Sequence, residues 1–524
     1  MKPDARGIAL VVVAVSTLQV GAAFAVTLFD EVGTAGAALL RLGIAALVLL
    51  AALIVGTTYW QTWANAGLAN RQDNEIQLVA QFTIKRGKIY ASDGRTLLAT
   101  NVTKKVGGQT LYFRRYPTGP LFSDVVGYST QSRNRTGLEQ SYNDFLTGSN
   151  ANLDTVFRSA LDKLKGTTVT GNNLVLTIRP EAQALALRLL RGKCGAVVAL
   201  DPTTGRVLVM ATSPTYNPNL IEKRFGLATR TNLPCGAPLL NRATAGKYPP
   251  GSTFKMVTAA AALDTGRFTP DSPFYDPGYC EEYGKRVRNA GNPEAPETFG
   301  NVDLSTGFEH SINSVFCNVG KTLGAGVVLD YAKRFGFYSL PPLETPEGER
   351  AESGLYDHGR LFDPKHPDTQ VDPGRLAFGQ ERLAVTPLQM AMVAAAIGNH
   401  GRTMRPQLIE RVISPSGKTI THLKPDQLGQ PIKRQTADEL TRMMELVVTG
   451  GTGTAAQIPG ISVAGKTGTA EVGRGNIHTT WFAAFAPANA PRVAIAVVVE
   501  NQLNGFGGTI SAPIAKQVME ALLR

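Results

Sequence analysis

Two pairs of apolar runs, one near residue 200 and one near the C-terminus, set the frame for this chain of 524 residues. Gly195–Leu200 and Arg206–Ala211 flank the loop Asp201-Pro202-Thr203-Thr204-Gly205, which reads as a β-hairpin with a short Asp/Gly turn. Thr480–Ala486 and Arg492–Glu500 flank a Pro/Asn/Ala turn in the same way. A further strand is expected at Leu174–Ile178, and helices at Pro180–Arg191 and Ala512–Leu523. The simplest assembly joins both hairpins into one antiparallel sheet with helices on both faces, an α/β (α+β) fold. Whatever lies between residues 211 and 480 is then inserted between the two hairpins.

Within that insertion, Pro249-Pro250-Gly251-Ser252-Thr253-Phe254-Lys255 runs into the apolar stretch Met256–Leu263. A Pro-Gly turn delivers the chain into a helix whose first turn carries Ser252 and Lys255. Residues i and i+3 share a helical face, so a hydroxyl and an amine stand side by side. The Ala259–Ala262 run is a strong helix former and reads as buried. Burial and the positive end of the helix dipole both lower an amine's pKa, which makes Lys255 a base for a serine nucleophile at neutral pH. A helix cap followed by a surface lysine is the competing reading of a lone Ser-x-x-Lys tetrad.

Two other stretches bear on that choice. Ser311-Ile312-Asn313 lies in His310–Phe316, and Lys466-Thr467-Gly468-Thr469 follows the run Ile461–Ala464. Ser-x-x-Lys, a Ser-x-Asn element and Lys-Thr-Gly, in this order, make the chain resemble a penicillin-binding protein. Arg86-Gly87-Lys88-Ile89 and Gly137-Leu138-Glu139 resemble motifs in the N-terminal pedestal of the class B members, in an actinobacterial-type chain. Gly379-Gln380 and Thr386-Pro387-Leu388-Gln389, before an Ala-rich helix to Ile397, resemble further elements of those transpeptidases. The resemblance covers about Arg86 to Arg524. It implies the penicillin-recognising serine acyl-transferase fold, with an N-terminal β-rich pedestal and a membrane anchor.

The resemblance also implies roles. Ser252 is the nucleophile and Lys255 its base. Ser311 relays a proton to the leaving amine, and Asn313 holds Lys255 and the substrate amide. Lys466 faces the substrate's terminal carboxylate, which Thr467 and Thr469 bind, while Gly468 permits close approach to the strand. The backbone N–H groups of Ser252 and Thr469 form the oxyanion hole. Local backbone capping is the plain alternative for Ser311 and Asn313. Ser314 is a rival to Ser311 only if the motif is read in another register.

Ahead of the pedestal the chain is strongly apolar. Gly7–Phe29 and Leu42–Thr58 each approach spanning length, separated by Asp30-Glu31 and Arg41, and Tyr59, Trp60 and Trp63 follow like an interfacial belt. Two spans return Gln61 to the starting side. One span, with Arg41 inside and the aromatic belt outside, places the remainder outside, and this single-pass, extracytoplasmic arrangement is the expected one. Gly7 to about Leu50 resembles the opening helices of a drug/metabolite-type transporter, including Gln19–Ala25. Lacking further spans, it reads as a fused or mis-started N-terminus. The expected domains are residues 1–64 (anchor), 65–165 (pedestal, with strands at Gln77–Ile84 and Ile89–Tyr90 and a helix from Gly137 to Leu146) and 166–524 (transpeptidase). Leu340–Gly374, rich in Pro, Gly and acidic residues, reads as an irregular loop, and Gly450–Thr454 as a flexible turn.

A net charge of +12 suits nucleic acid or an anionic surface. The basic residues are scattered in small groups, however, and no nucleic-acid motif accompanies them. A solvated face attracted to an anionic wall or membrane is the better reading. The six histidines are dispersed and no Cys-x-x-Cys occurs, so neither a metal nor a cofactor is expected. Cys194, Cys235, Cys280 and Cys317 read by default as free and buried, with Cys280–Cys317 the one suggested pair. The function expected is a peptidoglycan D,D-transpeptidase, targeted by β-lactams, acting on stem peptides beside a lipid II polymerase (glycosyltransferase). A D,D-carboxypeptidase, a β-lactam sensor and a non-catalytic scaffold of the wall-synthesis complex are the alternatives.

Overall fold

The computed structural model describes residues 29–59, 81–149, 153–165, 168–230, 235–292, 295–472 and 476–524. The chain divides into two compact units, residues 1–81 and 82–524. In the first, one helix spans Phe29–Tyr59 with a kink at Gly33, where φ is 67°. Asp30 and Glu31 lie ahead of that kink and Arg41 lies after it. Its Val32–Thr58 portion is long and apolar enough, by length and composition, to cross a membrane. The apolar run before Phe29, and Trp60 and Trp63, lie outside the described residues.

The two hairpins do form one sheet. Its order is Ala464–Glu471, Ile477–Ala486, Val493–Leu503, Cys194–Leu200, Val207–Ser213, antiparallel throughout. Successive side chains on a strand point to opposite faces, and the sequence uses this to build two cores. Trp481, Ala483, Phe485, Ala494, Ala496 and Val498 join one core, together with the helices Lys255–Asp264 and Pro387–Gly398. Phe482, Ala484, Ile495 and Val497 join the other, with the helices Pro180–Leu189 and Gly507–Leu523. Gly398, at the end of the Pro387–Gly398 helix, lies against the Phe485 ring of the sheet. That helix starts where the Thr386 hydroxyl caps the Gln389 N–H at 3.2 Å.

A second sheet has the order Thr419–His422, Ile409–Ile413, Asn173–Leu176, Ile89–Tyr90, Leu97–Val106, Gln109–Arg115. Residues far apart in sequence therefore share one sheet. Of the expected strand Gln77–Ile84, residues 77–80 lie outside the described residues. Gln81–Ile84 form a helical turn and bend, because strand-type pairing starts only at Lys85, which bridges Thr170. The expected helix from Gly137 is two short ones, Gly137–Ser141 and Asn143–Thr147, ended by Gly148 in the left-handed region. Leu340–Gly374 carries its own short elements, among them the hairpin Gly354–Asp357 with Arg360–Leu361. It is tied down at Glu349, whose carbonyl accepts from Thr244 and whose carboxylate accepts from the Gly137 N–H.

All four cysteines are paired: Cys194 with Cys235 (Cα–Cα 5.8 Å) and Cys280 with Cys317 (6.3 Å). The free-thiol default fails because both pairs meet within bridging distance.

The two pedestal motifs meet in space. Glu139, fully buried, binds Arg86 at 2.8 Å and Arg114 at 2.6 Å. Gly87 has no room for a side chain, since a Cβ there would overlap the Asn172 carbonyl. Burial lowers the Arg86 guanidinium to about 10 despite its carboxylate partner. Burial would push the Glu139 carboxyl up, yet Arg114 and Arg86 together hold it below the usual range. Glu139→Gln should leave two buried guanidiniums uncompensated and cost roughly 3–5 kcal/mol, read as a fall in the denaturant midpoint. Because the folded pKa of Glu139 is depressed, its contribution is complete above the unfolded carboxyl pKa and disappears as pH falls through the folded value. The gap between wild type and Glu139→Gln should therefore close on acidification.

Candidate active site

The turn Pro249–Gly251 is fixed from three sides. Trp481 Nε1, on the central sheet, donates to Pro249 O at 3.0 Å. Gly251 takes φ 51° and donates its N–H to Gly379 O at 3.1 Å. A Cβ at Gly379 would overlap Gly251, which explains the Gly-Gln element. The strand Ala464–Glu471 closes the third side. A Cβ on Gly468 would lie 2.8 Å from Pro250 O, and one on Gly251 would lie 2.8 Å from Thr469 O. Gly468 thus lets the serine turn itself approach the strand. From this turn, Gly251–Phe254 forms a 3-10 turn that passes into the α-helix Lys255–Asp264.

Three motif segments converge here. Lys255 Nζ, fully buried, donates to Ser311 O at 2.6 Å, Asn313 Oδ1 at 2.9 Å and Ser311 Oγ at 3.3 Å. Ser311 sits in the left-handed region with φ 60°, a strained backbone for a residue with a side chain. That geometry turns both its carbonyl and its hydroxyl onto one amine. The helix Leu304–Glu309 ends just before it, and the helix Asn313–Leu323 begins two residues later. Among the described residues none exchanges a hydrogen bond with the Ser252 hydroxyl, so it remains open to a substrate.

Lys466 is the second buried amine. Its Nζ reaches Thr467 O at 3.3 Å and stands 5.5 Å from the centre of the Phe308 ring. Lys255 Nζ stands similarly over Phe316, 5.2 Å away. The two phenyl rings, three residues either side of the Ser311–Asn313 pair, give both amines an electron-rich face. Burial lowers Lys466 to about 7. Burial, and then the charge of Lys466, push Lys255 well below the ordinary lysine value.

Thr467 and Thr469 are placed but not idle. The Thr467 hydroxyl lies 2.6 Å from that of Thr452, and Thr469 Oγ1 accepts from the Gly507 N–H at 3.2 Å. Thr452 was not singled out by sequence, where Gly450–Thr454 reads as a flexible turn. The turn is in fact held, with the Gly453 N–H on Val447 O at 2.8 Å and the Thr452 N–H on Glu309 O at 3.4 Å. A Thr within a glycine-rich stretch shortly before Lys-Thr-Gly is the signal that could have marked it. Ser314 is buried and turned away from the amines, bonded to Asp276 and to Asn289, which removes it as a rival to Ser311.

Lys466→Met separates stability from reactivity. Unfolded, Lys466 titrates near ~10.4, and folded it titrates at about 7. Between these values the unfolded chain binds more protons, so this residue makes stability rise with pH. At pH 7 the Met variant should be more stable than wild type by on the order of 3 kcal/mol. The difference should shrink between pH 7 and 10 in denaturant titrations, and penicillin acylation should fall steeply.

Comparison with known proteins shows the family. The family model "Penicillin binding protein transpeptidase domain" matches residues 195–520, and "Penicillin binding protein A dimerisation domain" matches 86–174. The chain is 34% identical to the peptidoglycan D,D-transpeptidase PbpA of Mycolicibacterium smegmatis, covering 92% of this chain and 98% of that one. It is 35% identical to PbpA of Mycobacterium tuberculosis, over 93% and 99%. The structure resembles that of penicillin-binding protein A from M. tuberculosis as a ceftriaxone acyl-enzyme complex, with a TM-score of 0.76 and 32% identity over 85% of this chain and 100% of that one.

Proposed function

Because the chain belongs to the class B, actinobacterial-type penicillin-binding protein transpeptidases, and is a serine-type peptidoglycan D,D-transpeptidase, we propose the following division of labour among its motifs. Ser252 Oγ attacks the penultimate D-alanine carbonyl of a stem peptide, and Lys255 accepts the hydroxyl proton. The oxyanion takes hydrogen bonds from the backbone N–H groups of Ser252 and Thr469. Collapse expels the terminal D-alanine as an amine, which receives its proton through Ser311. The acyl-enzyme is then opened by an amine of a neighbouring stem, whose proton returns along the same route. Lys466, Thr467 and Thr469 bind the terminal carboxylate, and Asn313 holds Lys255 and the substrate amide.

The observation that carries this reading is the placement of Lys255 Nζ, desolvated and, among the described residues, bonded only to neutral acceptors of Ser311 and Asn313. No described carboxylate pins it as an ammonium, so it can serve as base. A β-lactam acylates Ser252 by the same attack. Its leaving nitrogen stays tethered within the opened ring, so the site is not vacated for an acceptor.

The wider arrangement follows from the same reading. Residues 1–64 serve as a single-pass anchor, 65–165 as pedestal and 166–524 as the transpeptidase domain, held outside the membrane. A glycosyltransferase that polymerises lipid II supplies the strands to be cross-linked. The apolar helix Val32–Thr58 and the two family matches support this layout.

The test is intact-mass spectrometry of the full chain in detergent with benzylpenicillin, followed over time and mapped by digestion. A long-lived adduct on the Ser252 peptide is expected, and none on Ser252→Ala. An adduct that persists in Ser252→Ala would sink the nucleophile assignment. Release of D-alanine with transfer to an added amine separates a transpeptidase from a carboxypeptidase, which delivers the acyl group to water.

A further inference from the structure

Residues 273–303 form an insert ahead of the Ser311 motif, built from the hairpin Tyr279–Glu282 with Lys285–Arg288 and the pair Pro273–Asp276 with Gly300–Asp303. One face of the helix Asn313–Leu323 is fastened to this insert along its length. Ser314, Cys317 and Lys321, spaced i, i+3 and i+7, lie on that face. Ser314 Oγ donates to Asp276, Cys317 is bridged to Cys280, and Lys321 Nζ donates to Glu281 O at 2.9 Å and lies 3.5 Å from Glu282.

Asp276 is the centre of the attachment. It is 1% exposed, and among the described residues no cation pairs with it. Its charge is met instead by neutral donors: the Gly278 N–H at 2.8 Å, the Phe299 N–H at 3.0 Å, Asn289 Nδ2 at 2.8 Å and 3.0 Å, and the Ser314 hydroxyl. All but the last come from the insert itself, so the insert folds around this carboxylate and leaves one acceptor for the helix. Asn289 Oδ1 also accepts the Ser314 N–H at 3.1 Å, one of the unpaired donors of the helix's first turn.

The adjoining bond sets the orientation of Asn313. Its Nδ2 donates to Arg288 O at 3.0 Å, directly beside Asn289 in the chain. With the nitrogen of the amide fixed there, its oxygen is the atom turned to Lys255 Nζ. A slip of the helix start against the insert would therefore move Asn313 Oδ1 off the amine, although neither Asp276 nor Ser314 touches it.

We propose that Asp276 and Asn289 are positioning residues for acylation, which seat Ser314 and thereby hold the Asn313 amide with its oxygen on Lys255. This deepens the assignment of Asn313 above and rests on it. The experiment measures the saturable acylation of the full chain in detergent by a fluorescent penicillin, resolving the limiting rate from the binding constant. Ser314→Ala is the gentler variant, because Asp276 keeps its other donors, and Asp276→Asn is the stronger. Both should lower the limiting rate by about tenfold or more, with the binding constant little changed.

A double-mutant cycle with Asn313→Ala distinguishes positioning from bulk stability. If Ser314 acts through Asn313, Ser314→Ala should cost nothing further once Asn313 is Ala. Ser314→Ala acylating at the wild-type rate, while Asn313→Ala is slow, overturns the proposal and leaves the role of Asn313 intact. Additive losses in the cycle overturn it too. Asn313→Ala acylating normally overturns the reading on which it rests. Should Asp276→Asn not fold, Ser314→Ala decides alone.

Discussion

Two amines share one desolvated cleft, and much of the surrounding structure answers to that constraint. An ammonium taken out of water without a partner is costly. Among the described residues no carboxylate is offered to Lys255 or Lys466, in contrast to Arg242, which binds Glu500 at 2.8 Å, and to the pedestal's Arg86. The cleft instead supplies Ser311 O, Ser311 Oγ, Asn313 Oδ1 and two phenyl faces. These hold the amines in place, while burial lowers both below the ordinary lysine value. On the roles proposed above, reactivity follows from that deficit: a lysine paired with a carboxylate would hold its proton more firmly.

The deficit demands rigid neighbours, and glycines provide them. Gly251, Gly379 and Gly468 each meet backbone where a side chain would otherwise stand, so the serine turn, the Gly379 segment and the edge strand are in backbone contact. Side-chain rearrangement cannot loosen such a junction. Ser311 adds a strained left-handed backbone whose cost the adjoining helices must carry. Sheet, turn and helix starts thus act as one frame, with Trp481 tying the turn to the central strands.

How much of this was legible in the sequence depends on whether the signal was local. The hairpins at Cys194–Ser213 and Ile477–Leu503 were readable because their turns and apolar runs are contiguous, and their joining into one sheet followed from there being no other way to cover them. Ser252, Lys255, Ser311, Asn313 and Lys466 were readable as motifs, and the fold places Lys255 in hydrogen-bond contact with Ser311 and Asn313 and within the field of Lys466. Arg86 and Glu139 were noticed only as parts of two patterns, and the ion pair that explains both joins positions 53 apart in the sequence. Asp276 and Asn289 had no local signature at all, since an Asp and an Asn at strand ends and turns are the ordinary furniture of loops. The suggested pair Cys280–Cys317 does form, whereas Cys194–Cys235 was missed for the same reason, because pairing depends on which loops meet.

The two amines are not equivalent, and the difference gives the cleft a direction. Among the described residues Lys255 Nζ has three hydrogen-bond partners, whereas Lys466 Nζ has one, a neighbouring carbonyl at 3.3 Å. Lys466 is therefore the group with most to gain from an incoming anion. A carboxylate arriving beside it restores what burial removed and raises its affinity for a proton. The charge of Lys466 is also one of the two causes that depress Lys255. On the roles proposed above, a carboxylate bound beside Lys466 would offset that charge and leave Lys255 the stronger base. Under that proposal, binding at the strand and proton abstraction at the helix would be coupled through the field between two amines, with no moving part required.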